Sequence, residues 1–359
     1  MKFELPQIDI SKIEIPKVDF SKVKMSQNLG IDLGTSNTLI YVAGHGMVLQ
    51  EPSVAAVNSR TMNVLEVGDA ANLMVGKTAG EQISFRPIKD GVIADYDVTV
   101  AMLRRFMKKT AGSMILSRPK VAMCIPHGVT GVDRRAFEDA AMEAGARSVT
   151  LIEKPIAAAI GAGIKIGAPR GNFIIDIGGG TTEVATVSLG GIVTSNSIRV
   201  AGNRLDEAIM MYIKRRYNVS ISPKTAELLK LRVGSVHPQA DIGSIEVRGK
   251  NLASGLPAML SVTSGEVREA MSDQIEQILD CIRQVLEKTP PELCSDIDDR
   301  GILLTGGCAN LRGLPNLLSQ ITGIRVNVVE KPMQSCALGL GKYVENPERY
   351  PYLSQYKSR

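Results

Sequence analysis

The sequence predicts an α/β protein of two similar halves facing each other across a cleft, and three observations predict it. At 359 residues the chain is too long for one small core and suits two domains or two halves. The apolar runs "VAMCI" (121–125) and "VTLI" (149–152) bracket a helical segment, "DRRAFEDAAMEAG" (133–145). That is a strand–helix–strand unit, expected to be parallel and right-handed. Finally, one device is built twice. "NLGIDLGTSNTLIYVAGHG" at 28–46 and "NFIIDIGGGTTEVATVSLGG" at 172–191 each end an apolar run in Asp, turn through Gly and Thr, and continue into an alternating strand.

The elements follow in chain order. "ELPQIDISKI" (4–13) and "EIPKVDFSKV" (14–23) are two copies of a ten-residue unit. Their prolines favour extended backbone, and two repeats are too few to bury a core. Two readings stand for them: an appendage that docks on a partner or the body, and a loosely ordered tail. The first hairpin set reads as strands 29–33, 38–43 and 47–50; the second as strands 172–177, 182–189 and 192–199. Gly145 is a C-cap for the helix before it. "TAELLK" (225–230), read as a helix, puts Glu227 and Lys230 on one face. A long helix runs from about 265 to 288, with Val267, Met271, Ile275, Ile278, Ile282 and Val285 as its buried stripe. Thr263 and Glu266 make its capping box, and "TPP" (289–291) stops it. "GILLTGGCANLRGLPNLL" (301–318) reads as strand, Gly-rich turn and helix.

Composition narrows the function. With 44% apolar and 22% charged residues the chain is an ordinary soluble globular type. It has no Trp and few aromatics, which argues against a stacking platform for nucleic acid. The net charge of +5 is mild, and "KRR" (214–216) reads as a solvated helix face. Five cysteines without a C-x-x-C pair, and three scattered histidines, make a structural zinc site improbable. The odd cysteine count, with no secretory signal, is expected of a cytoplasmic protein. No apolar run is long enough to span a bilayer.

The paired hairpins carry the chemistry. Glycine lets backbone approach a bulky anion and aim N–H groups at it. Thr35, Asn37, Thr181 and Thr182 add side-chain donors. A carboxylate at each strand end, Asp32 and Asp176, suits a hydrated divalent cation that neutralises acid and phosphate together. Two such hairpins would clamp a polyphosphate. The rival phosphate motifs are absent: there is no G-x-x-x-x-G-K-[ST], and "GAGIKIG" (161–167) lacks the third Gly of G-x-G-x-x-G. The turn in "LTGGCAN" (304–310) leaves room for a base or ribose. Glu227 and Lys230 would hydrogen-bond an adenosine, or form an ordinary surface ion pair.

With these elements in order, residues from about 28 to 345 resemble the MreB family of bacterial actins, within the superfamily that also holds DnaK chaperones and sugar kinases. "RPIKDGVIADYDVT" (86–99), "EKPIAAAIGAG" (153–163), "IEVRGKNLASGLP" (245–257) and "DIDDRGILLTGG" (296–307) carry the likeness to MreB itself. The resemblance implies an actin-like ATPase fold, with duplicated ribonuclease H-like halves and four subdomains around a nucleotide cleft. Its expected division is an extension at 1–26, then a first half at 27–165 with 336–350 packing back on it and a small subdomain at about 58–95. The second half is 166–335, with a small subdomain at about 206–262. ATP and Mg2+ would be the cofactors, with Asp32 and Asp176 near the metal through water. Gly34, Thr35, Ser36, Asn37, Gly178, Gly179, Gly180 and Thr181 fall on the phosphate loops; Glu227, Lys230, Gly306 and Gly307 fall on the nucleoside site. The implied role is a filament of the protein with itself, at the inner face of the cytoplasmic membrane. There it organises cell-wall synthesis and shape proteins.

Three departures stand out: "TGGC" with Cys308 for "TGGG", "AGN" (201–203) for "GGD", and Lys154 where the family usually has Glu before proline. That Glu orients and deprotonates the attacking water. An ammonium has three donors and no acceptor, so it cannot. It attracts phosphate instead, by about 4 kcal/mol for unit charges ~4 Å apart at an effective dielectric near 20. At most a slow magnesium-dependent ATPase is expected, with Lys154, Asp176 and the adjacent Glu153 as the catalytic candidates. On a strand, Glu153 and Lys154 point opposite ways. "KKTAGSMILSRPK" (108–120) puts Met114, Ile115 and Leu116 at an apolar tip among basic residues, a membrane-inserting loop by the same resemblance; an apolar turn tucked on the body competes with it. The rival functions are a non-cycling paralogue acting as copolymer or cap, and a small-molecule phosphotransferase using Asp95 or Asp97 as base. A chaperone is disfavoured, since 359 residues leave no peptide-binding domain.

Overall fold

A computed structural model describes residues 28–77, 80–111 and 118–356. In the first half, β1 (Leu29–Leu33), β2 (Asn37–Val42) and β3 (Gly46–Pro52) form an antiparallel meander. β4 (Ala55–Asn58), β5 (Val64–Val67) and β6 (Gln82–Phe85) make a small sheet beside α1 (Asp69–Met74). A short hairpin, β7 (Ile88–Lys89) and β8 (Val92–Ile93), leads into α2 (Tyr96–Ala111). Then β9 (Lys120–Ile125), α3 (Gly131–Ala144) and β10 (Ser148–Glu153) add two parallel strands, giving the sheet order β10-β9-β1-β2-β3.

Helix α4 (Lys154–Gly161) carries the chain to the second half, which repeats the plan. β11 (Asn172–Ile177), β12 (Thr182–Ser188) and β13 (Gly191–Ile198) form the meander. α5 (Gly202–Tyr217), β14 (Val219–Ser220), α6 (Pro223–Arg232), β15 (Ser244–Asn251) and β16 (Pro257–Thr263) build a small lobe with its own three-stranded sheet. α7 (Ser264–Lys288), α8 (Pro291–Arg300), β17 (Ile302–Thr305), α9 (Leu314–Thr322) and β18 (Val326–Val328) complete the second sheet, in the order β13-β12-β11-β17-β18. The chain then returns: α10 (Ser335–Glu345) packs on α4 and on β1, β2 and β9 of the first sheet.

Each half has its own apolar core, and a third joins them. Ile31, Phe106 and Phe137 centre the first, Phe173, Ile213 and Met271 the second, and Ile156, Ile160, Ile174 and Leu340 fill the seam around α4 and α10. Helix α7 starts on the capping box of Thr263 and Glu266 and buries all six residues of the expected stripe. A second capping box, Thr130 with Asp133, starts α3. Lys214, Arg215 and Arg216 are exposed, as a solvated face requires. The ten-residue repeats lie outside the described residues.

Candidate functional site

The ends of β1 and β11 deliver Asp32 and Asp176 to one cavity of about 300 Å³. The turn after β1 lines it with Gly34, Thr35, Ser36 and Asn37, and the turn after β11 with Gly178, Gly179 and Gly180. Helix α6 contributes Glu227 and Lys230, the turn after β17 contributes Gly306, Gly307 and Cys308, and Lys154 stands at the first turn of α4. Thr181 sits on the same loop but does not line the cavity; it bonds to the buried Glu183.

The glycines are needed where they stand. A Cβ on Gly179 would lie 1.9 Å from Ser36 Oγ, and one on Gly180 would lie 2.4 Å from Thr35 Oγ1, so the two turns touch. Gly306 has φ +86° and would set a Cβ 2.3 Å from the Ile177 carbonyl oxygen. Ser36 Oγ donates across the cleft to Asn203 Oδ1 at 3.2 Å, and the amide of Asn203 donates to the Gly179 carbonyl at 2.8 Å. The "AGN" departure thus ties the two turns together. Cys308 tucks its thiol 3.3 Å from the Gly178 carbonyl.

Two residues here were given no role by the sequence. Arg86 donates to the carbonyls of Thr35 (3.3 Å) and Ser36 (2.7 Å), holding the first turn from behind. Asp206 lies 2.8 Å from Lys230 Nζ, which also donates to the Gly202 carbonyl at 2.9 Å. Lys230 is therefore buried against Asp206, while Glu227 is exposed at the rim; the surface ion pair of Glu227 with Lys230 does not form. Burial pushes the Asp206 carboxyl up to about 6, against the pull of Lys230.

Lys154 is buried and faces the cavity. Burial works against its charge, but Asp32 and Asp176, with Cys336 and Glu183, outweigh burial and hold the ammonium above its usual range. Asp176 is pushed up to about 7 by burial, with Asp32 and Glu183 adding to the rise and Lys154 opposing it. Glu153, expected as a substitute base, does not line the cavity. Its side chain leaves the cavity and meets His127 Nδ1 at 3.1 Å, with Arg134 at 4.0 Å. Glu153 ends β10 and caps α4 outside the cavity, whereas Lys154, the first residue of α4, faces in.

Asp32 Oδ1 is buried with no hydrogen-bond partner, an oxygen that invites a positive charge. The positive charge facing it is Lys154. Among the described residues no three His, Cys, Asp or Glu side chains converge as metal ligands. The Mg2+ expected near Asp32 and Asp176 through water needs few protein ligands; what it does not fit is the buried Lys154 ammonium that already faces both carboxylates. The phosphotransferase base fares no better: Asp95 accepts from the amide of Val98 at the start of α2, Asp97 is exposed, and neither lines the cavity. Met114, Ile115 and Leu116 lie outside the described residues. Among the described residues no helix is long and apolar enough to cross a membrane.

Comparison with known proteins places this geometry. A family model described as MreB/Mbl protein matches residues 26–351. The cell shape-determining protein Mbl of Bacillus subtilis is 46% identical over 326 residues, covering 91% of this chain and 98% of that protein. The cell shape-determining protein MreB of Escherichia coli is 48% identical over 325 residues, covering 89% and 94%. MreB5 of Spiroplasma citri bound to AMPPNP superposes with a TM-score of 0.86 at 37% identity, covering 91% of this chain and 98% of that one. The MamK double helical filament shares the fold, with a TM-score of 0.77 at 21% identity.

Proposed function

The chain belongs to the MreB/Mbl family and has its actin-like fold, and from that premise we propose that it binds ATP in the cleft and polymerises into filaments governing cell shape. The observation that carries the reading is the convergence of two Asp-Gly turns, one from each half, with Lys230 and the Gly306–Gly307 turn on one cavity. The turns offer backbone N–H groups to phosphates, and the N-terminus of α5 at Gly202 adds a helix dipole of the same sign. Glu227 and Lys230 stand where a ribose and base would lie. MreB5 of Spiroplasma citri has been crystallised with AMPPNP and with ADP, which supports the same ligand class here. The Mbl and MreB relatives are named for determining cell shape, and filaments at the inner membrane face, organising wall synthesis, are the corresponding role here.

Turnover is slow in this reading. With Lys154 facing the cavity and Glu153 turned to His127, no carboxylate stands at the position before proline to take a proton from water. The ammonium holds phosphate in place instead. The test is phosphate release from purified protein with ATP and magnesium, with and without liposomes, with filament pelleting in each sample, beside Lys154→Glu. Low native release with intact pelleting, and release raised about tenfold or more in the variant, is expected of one restored general base. Brisk native release, or a variant no faster than the native protein, would sink the slow-turnover reading. Absence of pelleting with bound ATP would favour a cap or copolymer, a role the altered site also suits.

A further inference from the structure

The site proposed for ATP contains its own counter-ion. Lys154 opens a helix whose next six residues, Pro155 to Ile160, are all buried, so its backbone is fixed at the cavity wall. The Cys336 thiol packs 3.8 Å from its carbonyl oxygen and 4.0 Å from Asp176 Oδ2, closing the floor beside it. The buried ammonium thus shares the cavity with Asp32 and Asp176, and the unpartnered Asp32 Oδ1 belongs to the same group of charges.

A polyphosphate adds several negative charges to a pocket that already holds two carboxylates. Something positive must stand among them. A hydrated divalent ion serves that purpose when oxygen ligands surround it. Here an ammonium is built into the wall, and a divalent ion beside it would meet like charge at short range. We propose that Lys154 takes the place of a divalent cation, so that this chain binds ATP as a metal-free polyanion. The inference rests on the nucleotide reading above. Lys230 does not compete for the role, because it is spent on Asp206 and the Gly202 carbonyl.

The experiment is isothermal titration of the full chain with ATP, once in excess EDTA and once in Mg2+, for the native protein and Lys154→Met. Native affinity in EDTA is expected within about threefold of that in Mg2+, and Lys154→Met is expected to lose about tenfold or more in EDTA. Native binding seen only with Mg2+ overturns the inference and leaves the nucleotide reading standing. No binding in either buffer overturns both. Lys154→Met binding as tightly as native in EDTA removes Lys154 from the role. The native comparison decides the matter even where the variant fails to fold.

Discussion

At the residue scale, the pair Glu153–Lys154 shows what one backbone step does. Glu153, turned out of the cavity, accepts from His127, whose own amide donates to Glu183 Oε2 at 3.2 Å. The hydrogen bond to Glu153 and the charges of Glu153 and Glu183 raise His127 above its ordinary 6.5, against burial. A raised histidine contributes stability that is fully present below pH 6.5 and lost as pH rises through the folded value. Thermal midpoints should therefore fall from about pH 6 to about pH 8, and His127→Gln should make that slope shallower. Arg134 faces Glu153 as well. Asp206, raised to about 6, and Asp176, raised to about 7, also lose stability as pH rises and supply the part of the slope that His127→Gln leaves in place. A slope unchanged in the variant would refute the assignment. Alternation in the sequence said that only one of Glu153 and Lys154 meets the cleft; choosing between them needed the sheet's position against α10. Arg86, Asn203 and Asp206 were illegible for another reason. Arg86 and Asn203 lie in stretches the sequence singled out, but each of the three meets a partner far along the chain, so its contact could not be read locally.

At the element scale, helix ends were legible wherever side chains make them. The Thr263–Glu266 box and the Gly145 cap are local chemistry. The packing of α4 on α10 was not, because it depends on two glycines about 180 residues apart. A Cβ on Gly161 would lie 1.9 Å from the Ser335 carbonyl oxygen, and one on Gly339 would lie 1.8 Å from that of Ala157. These are backbone atoms that cannot rotate away. Gly339→Ala should cost about 3 kcal/mol or more, read as a fall in denaturation midpoint at constant m. Gly131→Ala, with open space around it at the start of α3, is the control and should be neutral or stabilise by up to about 1 kcal/mol. Equal effects at the two positions would show that the helices have room to part.

At the scale of the whole molecule, the duplicated hairpins were legible because the same pattern appears twice in one chain. The two sheets do share one strand plan, three antiparallel strands extended by two parallel ones. Several contacts join the halves across the mouth: Ser36 with Asn203, Arg204 with Asp90 at 3.5 Å, and Lys224 Nζ donating to the Asn72 carbonyl. A ligand touching both halves adds to them. ATP at about 100 times its dissociation constant should stabilise the fold by about 2.7 kcal/mol, seen as a rise in thermal midpoint; no rise would mean that the cavity does not hold it. The Gly161–Gly339 contact decides how the halves can move. Both chain crossings run beside it, through α4 and into α10, and helices meeting backbone to backbone have no layer of side chains to slide on. Shear is blocked and rotation is left, as in a book with a sewn spine. Paired spectroscopic labels on the two halves should then change separation in proportion to their distance from that spine, with the least change beside α10.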